Sequence, residues 1–232
     1  MHSSSHHNGF RWNDADAYLF DIDGTILLSK DRTHRYALHR AMADVFHVET
    51  TIDGIAYHGK TDPGILRAAL RRIGFSDVII NAKMPEALAA TRRHADENVH
   101  KFTPTVLPGI PEILARLHNQ GKLLGVSSGN LESVGWIKLQ AAGLKHYFQF
   151  GSFADHCELR SDVFEHAVAE ARRRLGSQAK VCFIGDTPDD VQAARKVGGQ
   201  IIAVGTGIFT IEDLATHEPD ACIADCSELL AN

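Results

Sequence analysis

The sequence predicts an α/β fold, a parallel sheet covered by helices on both faces and interrupted once by an inserted helical subdomain. Three observations predict it. Short apolar or β-branched runs recur along the chain, helical periods separate most of them, and one long interval carries helical periods without a convincing strand. At 232 residues the chain is long enough for a core domain and a smaller second one.

The candidate strands are Tyr18–Ile22, Lys122–Ser127, Phe148–Gly151, Val181–Ile184 and Ile201–Val204, with a weaker run at Ala221–Ile223. Ile113, Leu114 and Leu117 mark one apolar helix face, closed by the stop "NQGK"; Phe164, Ala167, Val168, Ala171 and Leu175 mark another. In the strandless interval, Leu38, Ala41, Met42, Val45 and Phe46 form one stripe, and Ile65, Leu66, Ala69, Leu70 and Ile73 the next. A third helix is expected from Pro85 to about Val99, with proline in its first turn. The return passage "TPTVLPGIPE" reads as a stiff linker. The expected organisation is a disordered tail over 1–15, a core formed by 16–28 and 106–232, and a helical insertion over 29–105.

Composition narrows the function classes. With 44% hydrophobic and 23% charged residues this is the make-up of a soluble globular protein, and a net charge of −5 gives no reason to expect nucleic acid or an anionic membrane as partner. No apolar run is long enough for a membrane span, and the start "MHSSSHHNGF" lacks the apolar segment of a secretory signal. Its histidines, His2, His6 and His7, read as a tail or a purification remnant. Cys157, Cys182, Cys222 and Cys226 lack the partners of a zinc site, so reduced thiols in a cytoplasmic protein are expected. Oligomeric state is not legible.

The chemistry starts at "AYLFDIDGTIL". An apolar strand that ends on two aspartates is costly unless a cation or hydrogen bonds compensate the charge. Asp21 and Asp23, two residues apart in extended chain, address the same side at the carboxyl end of the strand, where open α/β sheets bind ligands. "VCFIGDTPDD" brings Asp186, Asp189 and Asp190 to the end of another strand. Carboxylates from two strand ends suit a hard cation such as Mg²⁺. "GVSSGN" ends a third, where Ser128, Gly129 and Asn130 offer a hydroxyl and N–H groups as an anion cradle before a helix. Together these describe phosphoryl chemistry.

"LFDIDGT", "VSSGN" and "FIGDTPDD", in this order and spacing, resemble the haloacid dehalogenase-like hydrolase superfamily, in particular its phosphoglycolate phosphatase-like branch with a helical cap inserted after the first strand. The resemblance implies a Rossmann-like core and assigns roles. Asp21 would be the nucleophile that forms an aspartyl-phosphate. Asp23 would protonate the leaving oxygen and then activate water, while its backbone carbonyl helps hold Mg²⁺. Ser128 and the Gly129 N–H would hold phosphoryl oxygens, with Asn130 beside them. Asp186 would complete the metal site with Asp190 in support; Asp189 is expected in solvent and Ser127 inside the strand. The family also uses a cation, usually lysine, to bridge nucleophile and phosphate. No lysine occurs from Tyr147 through Glu170, and Arg160, the only arginine there, is the candidate. In the cap, the turn "YHGKTDPG" with Gly59 and Lys60 would face the crevice, and Lys60 is expected to meet a substrate tail.

The implied activity is a Mg²⁺-dependent phosphatase acting on a small phosphorylated metabolite. A phosphomutase, or a catalytically retired binding protein on the same fold, is the alternative. Dehalogenation is disfavoured, because relatives that attack carbon do not keep the second acid that stands here as Asp23.

Overall fold

The computed structural model describes residues 10–231. In chain order its elements are β1 (Ala17–Phe20), β2 (Leu27–Leu28), α1 (Thr33–Phe46), α2 (Asp62–Arg72), α3 (Asp77–Glu97), β3 (Thr105–Val106), α4 (Ile110–Asn119), β4 (Leu123–Ser127), α5 (Glu132–Ala141), β5 (Phe150–Ser152), α6 (Arg160–Leu175), β6 (Val181–Gly185), α7 (Pro188–Lys196), β7 (Gln200–Val204), α8 (Ile211–Ala215) and β8 (Ala221–Ile223). Six strands form one parallel sheet in the order β5-β4-β1-β6-β7-β8. The central β1 is flanked by β4 and β6, so the chain reverses its winding there, and the crevice at the strands' carboxyl ends falls beside it.

Strand periodicity divides the core into two apolar layers. Tyr18, Phe20, Leu124, Val126 and Ile184 pack on one face against Ile113, Leu114 and Leu117 of α4 and Leu139 of α5. Leu19, Phe183 and Ile201 face the other way, against Phe164, Ala167 and Val168 of α6 and Val191 of α7. Phe164 and Phe183 stack at 4.2 Å between centroids. All four cysteines are buried free thiols. No helix among the described residues is long and apolar enough to cross a membrane.

Helices α1–α3 bury a separate cluster built on the two expected stripes, from Leu38, Met42 and Phe46 to Leu66, Ala69 and Leu70. Leu131 and Val134 from the start of α5 join that cluster, so the insertion sits on the core through apolar contact. Ile73, expected in the second stripe, instead caps the end of α2 and is exposed.

Four details depart from the sequence reading. Helix α3 begins at Asp77, not Pro85, because Ser76 caps it by accepting from the Ile79 N–H; Pro85 lies inside the helix. The expected linker contributes β3, which pairs antiparallel with β2 and forms a two-stranded neck where the chain leaves and re-enters the core. β1 stops at Phe20, so Asp21 and Asp23 stand on the loop beyond it, although the Asp21 N–H still continues the ladder to Ile184 O at 2.9 Å. Residues 10–15, expected in a disordered tail, pack against the core. Trp12 is buried edge-on against Tyr18 with the Arg116 guanidinium over its ring, and Tyr18 OH donates to Trp12 O at 2.6 Å. An aromatic ring gains enough from burial to anchor that segment. The histidines expected in a tail lie outside the described residues.

Candidate active site

Four loops at the carboxyl ends of β1, β4, β6 and β7 meet the cap around a cleft of about 720 Å³, a volume in the range of metabolite sites. Asp21, Asp23, Ser128, Gly129, Asn130, Arg160 and Asp186 line it, as do Gly59 and Lys60 from the cap. The residues singled out in the sequence therefore converge on one place.

The loop after β1 turns sharply at Gly24, whose φ is +89°; a Cβ there would collide with the Asp186 carboxylate. Thr25 Oγ1 donates to Asp186 Oδ1 at 3.2 Å, tying the first and last acidic motifs together. Asp21, Asp186 and Asp190 are buried with carboxylate oxygens within 4.8 Å of one another, an all-oxygen donor set fit for a divalent cation. Burial and its charged neighbours push the Asp21 carboxyl up to about 6 in spite of the Arg160 guanidinium. Burial, then the charges of Asp21 and Asp190, drive Asp186 up as well. Both shifts mark negative charge that the protein alone leaves undercompensated.

Arg160 opens α6 and is itself buried. Its Nη2 lies 2.8 Å from Asp21 Oδ1 and 2.7 Å from Asp190 Oδ1, and Nε donates to Asp190 Oδ1 at 2.9 Å. Asp190 is fixed in turn by a capping box at the start of α7, its Oδ2 accepting from Thr187 Oγ1 at 2.7 Å and from the Thr187 N–H at 3.1 Å. Its oxygens are thus engaged with Arg160 and Thr187, so in this structure Asp190 anchors the arginine beside the nucleophile candidate.

In the loop after β4, Ser127 completes the strand and Ser128 enters the cleft. Asn130 Nδ2 donates to Ser128 Oγ and to Asp23 Oδ2, both at 2.8 Å. Gly129 is packed so closely against Lys60 O and Arg160 that a side chain would collide with the Lys60 carbonyl. Its N–H makes no hydrogen bond to protein among the described residues.

One expectation near the cap turn changes, that for Asp189. Gly59 adopts φ +76° against Thr187 and Asp189, and Lys60 Nζ pairs with Asp189 Oδ2 at 2.6 Å. Asp189 is therefore half-buried beneath the turn rather than in free solvent, and the half-exposed Lys60 ammonium is engaged with a core carboxylate. The cap helix start is set by Thr61, whose Oγ1 accepts from the Gly64 N–H at 3.2 Å.

One cation escaped the sequence reading. Lys138 of α5 is buried, and its Nζ reaches Asp23 Oδ2 at 2.6 Å. Burial acts upward on the Asp23 carboxyl, but the Lys138 ammonium, together with the hydrogen bonds from Lys138 and Asn130, outweighs it and holds that carboxyl below its ordinary range. The signal lay in the pattern of α5, where Lys138 stands one turn after Val134 and beside Leu139, on the apolar face. A lysine on such a face requires a buried partner.

A profile of the haloacid dehalogenase-like hydrolase family matches residues 18–204. The chain belongs to that family. It is 27% identical over 216 residues to the phosphoglycolate phosphatase of Synechococcus elongatus, covering 92% of this chain and 95% of that one. It is 31% identical over 125 residues to the probable phosphatase IndB of Dickeya dadantii, a match that spans about half of either chain, 54%. Among solved structures, CbbY of Rhodobacter sphaeroides in complex with phosphate has the same fold, with a TM-score of 0.67 at 18% identity and coverage of 93% and 96%. This haloacid dehalogenase-like protein is a hydrolase of the phosphatase type.

Proposed function

We propose that the protein is a Mg²⁺-dependent phosphatase that hydrolyses a small phosphomonoester through an aspartyl-phosphate on Asp21. The observation that carries this reading is the seating of Asp21 at one cleft, with Arg160 2.8 Å from its carboxylate, the buried acids Asp186 and Asp190 behind it and the Ser128–Gly129 loop opposite. Asp21, Asp186 and the backbone carbonyl of Asp23 would hold Mg²⁺, with Asp190 in support. When bound, the cation supplies the charge needed for a phosphate dianion to approach carboxylates.

Asp21 attacks phosphorus, the ester P–O bond breaks, and the leaving oxygen takes a proton from Asp23. Water then gives its proton to Asp23 and attacks phosphorus, the bond to Asp21 breaks, and inorganic phosphate leaves. Lys138 favours the ionised Asp23 that the second half-reaction needs; an incoming phosphate dianion favours the protonated form that the first half needs. Arg160, Ser128 and the Gly129 N–H hold the phosphoryl oxygens, where Arg160 stands in for the family's usual lysine. The cap covers the cleft, excludes water and supplies the contacts beyond phosphate.

The substrate class is a small phosphorylated metabolite. The name of the Synechococcus relative makes acidic phosphate esters the first compounds to screen. Buried free thiols fit a reducing compartment, and we place the protein in the cytoplasm. The test is turnover of p-nitrophenyl phosphate with Mg²⁺. Wild type should turn over, chelator should abolish the activity and Mg²⁺ should restore it. Asp21→Asn should be inactive yet folded, and residual activity within about tenfold of wild type, ~1.4 kcal/mol of barrier, would rule out Asp21 as nucleophile. An inert wild type across a panel of phosphate esters would make this a retired binding protein.

A further inference from the structure

Resting on that reading, we propose that Lys138 is a positioning residue for Asp23, which it holds with one carboxylate oxygen locked and the other turned to the leaving group, and that cap residue His34 completes the lock. The Lys138 side chain is 2% exposed, and its ammonium meets three acceptors: Asp23 Oδ2 at 2.6 Å, Asn130 Oδ1 at 2.8 Å and His34 Nδ1 at 3.1 Å. Three donors with three acceptors leave the ammonium no freedom to turn.

Each bond constrains the next. Because Asn130 Oδ1 faces the ammonium, its Nδ2 must face Asp23 Oδ2, which it reaches at 2.8 Å. Asp23 Oδ2 therefore accepts from Lys138 and Asn130 together, whereas Oδ1 has no donor among the described residues. With the Asp23 side chain 42% exposed to the cleft, Oδ1 is the oxygen free to carry the proton. Because His34 Nδ1 accepts from Lys138, its Nε2 carries the hydrogen and donates to Asp62 Oδ2 at 3.0 Å. Asp62 Oδ2 also accepts from the Leu131 N–H at 2.8 Å, and the Asp62 N–H donates to Gly129 O at 2.7 Å. The line Asp23–Lys138–His34–Asp62 thus crosses from core to cap and returns at the phosphate cradle. The acid and the cradle are set together when the cap is in place.

The experiment compares phenyl phosphate, a poor leaving group, with p-nitrophenyl phosphate, a good one, at saturating Mg²⁺. Lys138→Met keeps length and apolar packing but removes the ammonium. Its loss of kcat/KM should be at least about tenfold greater on phenyl phosphate, because general acid help is worth most where the leaving group is poor. In an Asp23→Asn background the same substitution should change kcat/KM by less than about twofold, since it acts through Asp23. His34→Ala, which removes only the cap's contribution, should shift the phenyl-to-nitrophenyl ratio in the same direction by roughly threefold; it keeps the test open if Lys138→Met fails to fold. Equal losses on both substrates, or an undiminished loss in the Asp23→Asn background, would overturn the proposal. A wild type inactive on both substrates would overturn the phosphatase reading itself and the proposal with it.

Discussion

Asp21 and Asp23 lie two residues apart and experience opposite pressures. Burial among like charges raises Asp21, while the Lys138 ammonium and the hydrogen bonds from Lys138 and Asn130 overcome burial to lower Asp23. In the proposed mechanism the pair would separate a nucleophile that needs a cation from an acid–base group that has one. Because the folded value of Asp21, about 6, exceeds its value of 3.8 in an unfolded chain, the folded protein holds that proton more tightly. The associated stability is present below about pH 4 and lost as pH rises through about 6. Mg²⁺ competes with the proton for the same carboxylates, so the rise in Tm caused by Mg²⁺ should be larger at about pH 7 than at about pH 5. Differential scanning fluorimetry at both pH values checks this, and a shift that is equal or larger at the lower pH would contradict it. The acid role of Asp23 is separable. Asp23→Asn should slow phenyl phosphate at least about tenfold more than p-nitrophenyl phosphate. Equal losses would assign Asp23 to metal positioning alone.

Between elements, ion pairs and a hydrogen bond tie the cap to the core. Lys60 pairs with Asp189, Thr61 Oγ1 donates to Glu158 O at 2.6 Å, and Arg92 pairs with Asp155 at 2.7 Å. Arg67 reaches Glu158 as well. The Lys60–Asp189 pair is half-exposed and contributes about 0–1 kcal/mol. Lys60→Ala should therefore raise KM for all substrates alike, by no more than roughly fivefold, with kcat nearly unchanged. A loss confined to one metabolite would return Lys60 to the role of a tail-binding residue. The cap also marks where sequence legibility ends. Its first two helices announced themselves through apolar stripes, because each buries one face. In the sequence Pro85 reads as the start of α3, although Ser76 and Asp77 carry the true start. The β2–β3 neck is too short to leave a periodicity, and Lys138 went unread because its partner, Asp23, lies 115 residues away and its third acceptor comes from the cap.

At the scale of the whole molecule, the parallel order β5-β4-β1-β6-β7-β8 gathers loops that are far apart in sequence at the carboxyl ends of the strands. That gathering was legible in advance, because apolar strands ending in Asp, Ser-Gly-Asn and Asp-rich turns leave their polar residues nowhere else to go. Arg160 is legible as the only arginine between Tyr147 and Glu170, and it sits between Asp21 and Asp190. The Lys60 contact was not legible, since a surface cation's partner depends on how the cap sits. In the proposed mechanism the phosphoryl group passes through Asp21. Enzyme mixed with a good substrate and Mg²⁺, quenched in acid within one turnover and digested, should yield the peptide that contains Asp21 with the added mass of one phosphoryl group. That species should vanish in Asp21→Asn and accumulate when water attack is slowed in Asp23→Asn. Steady turnover with an unmodified Asp21 peptide, or with the phosphoryl group on another residue, would contradict the account.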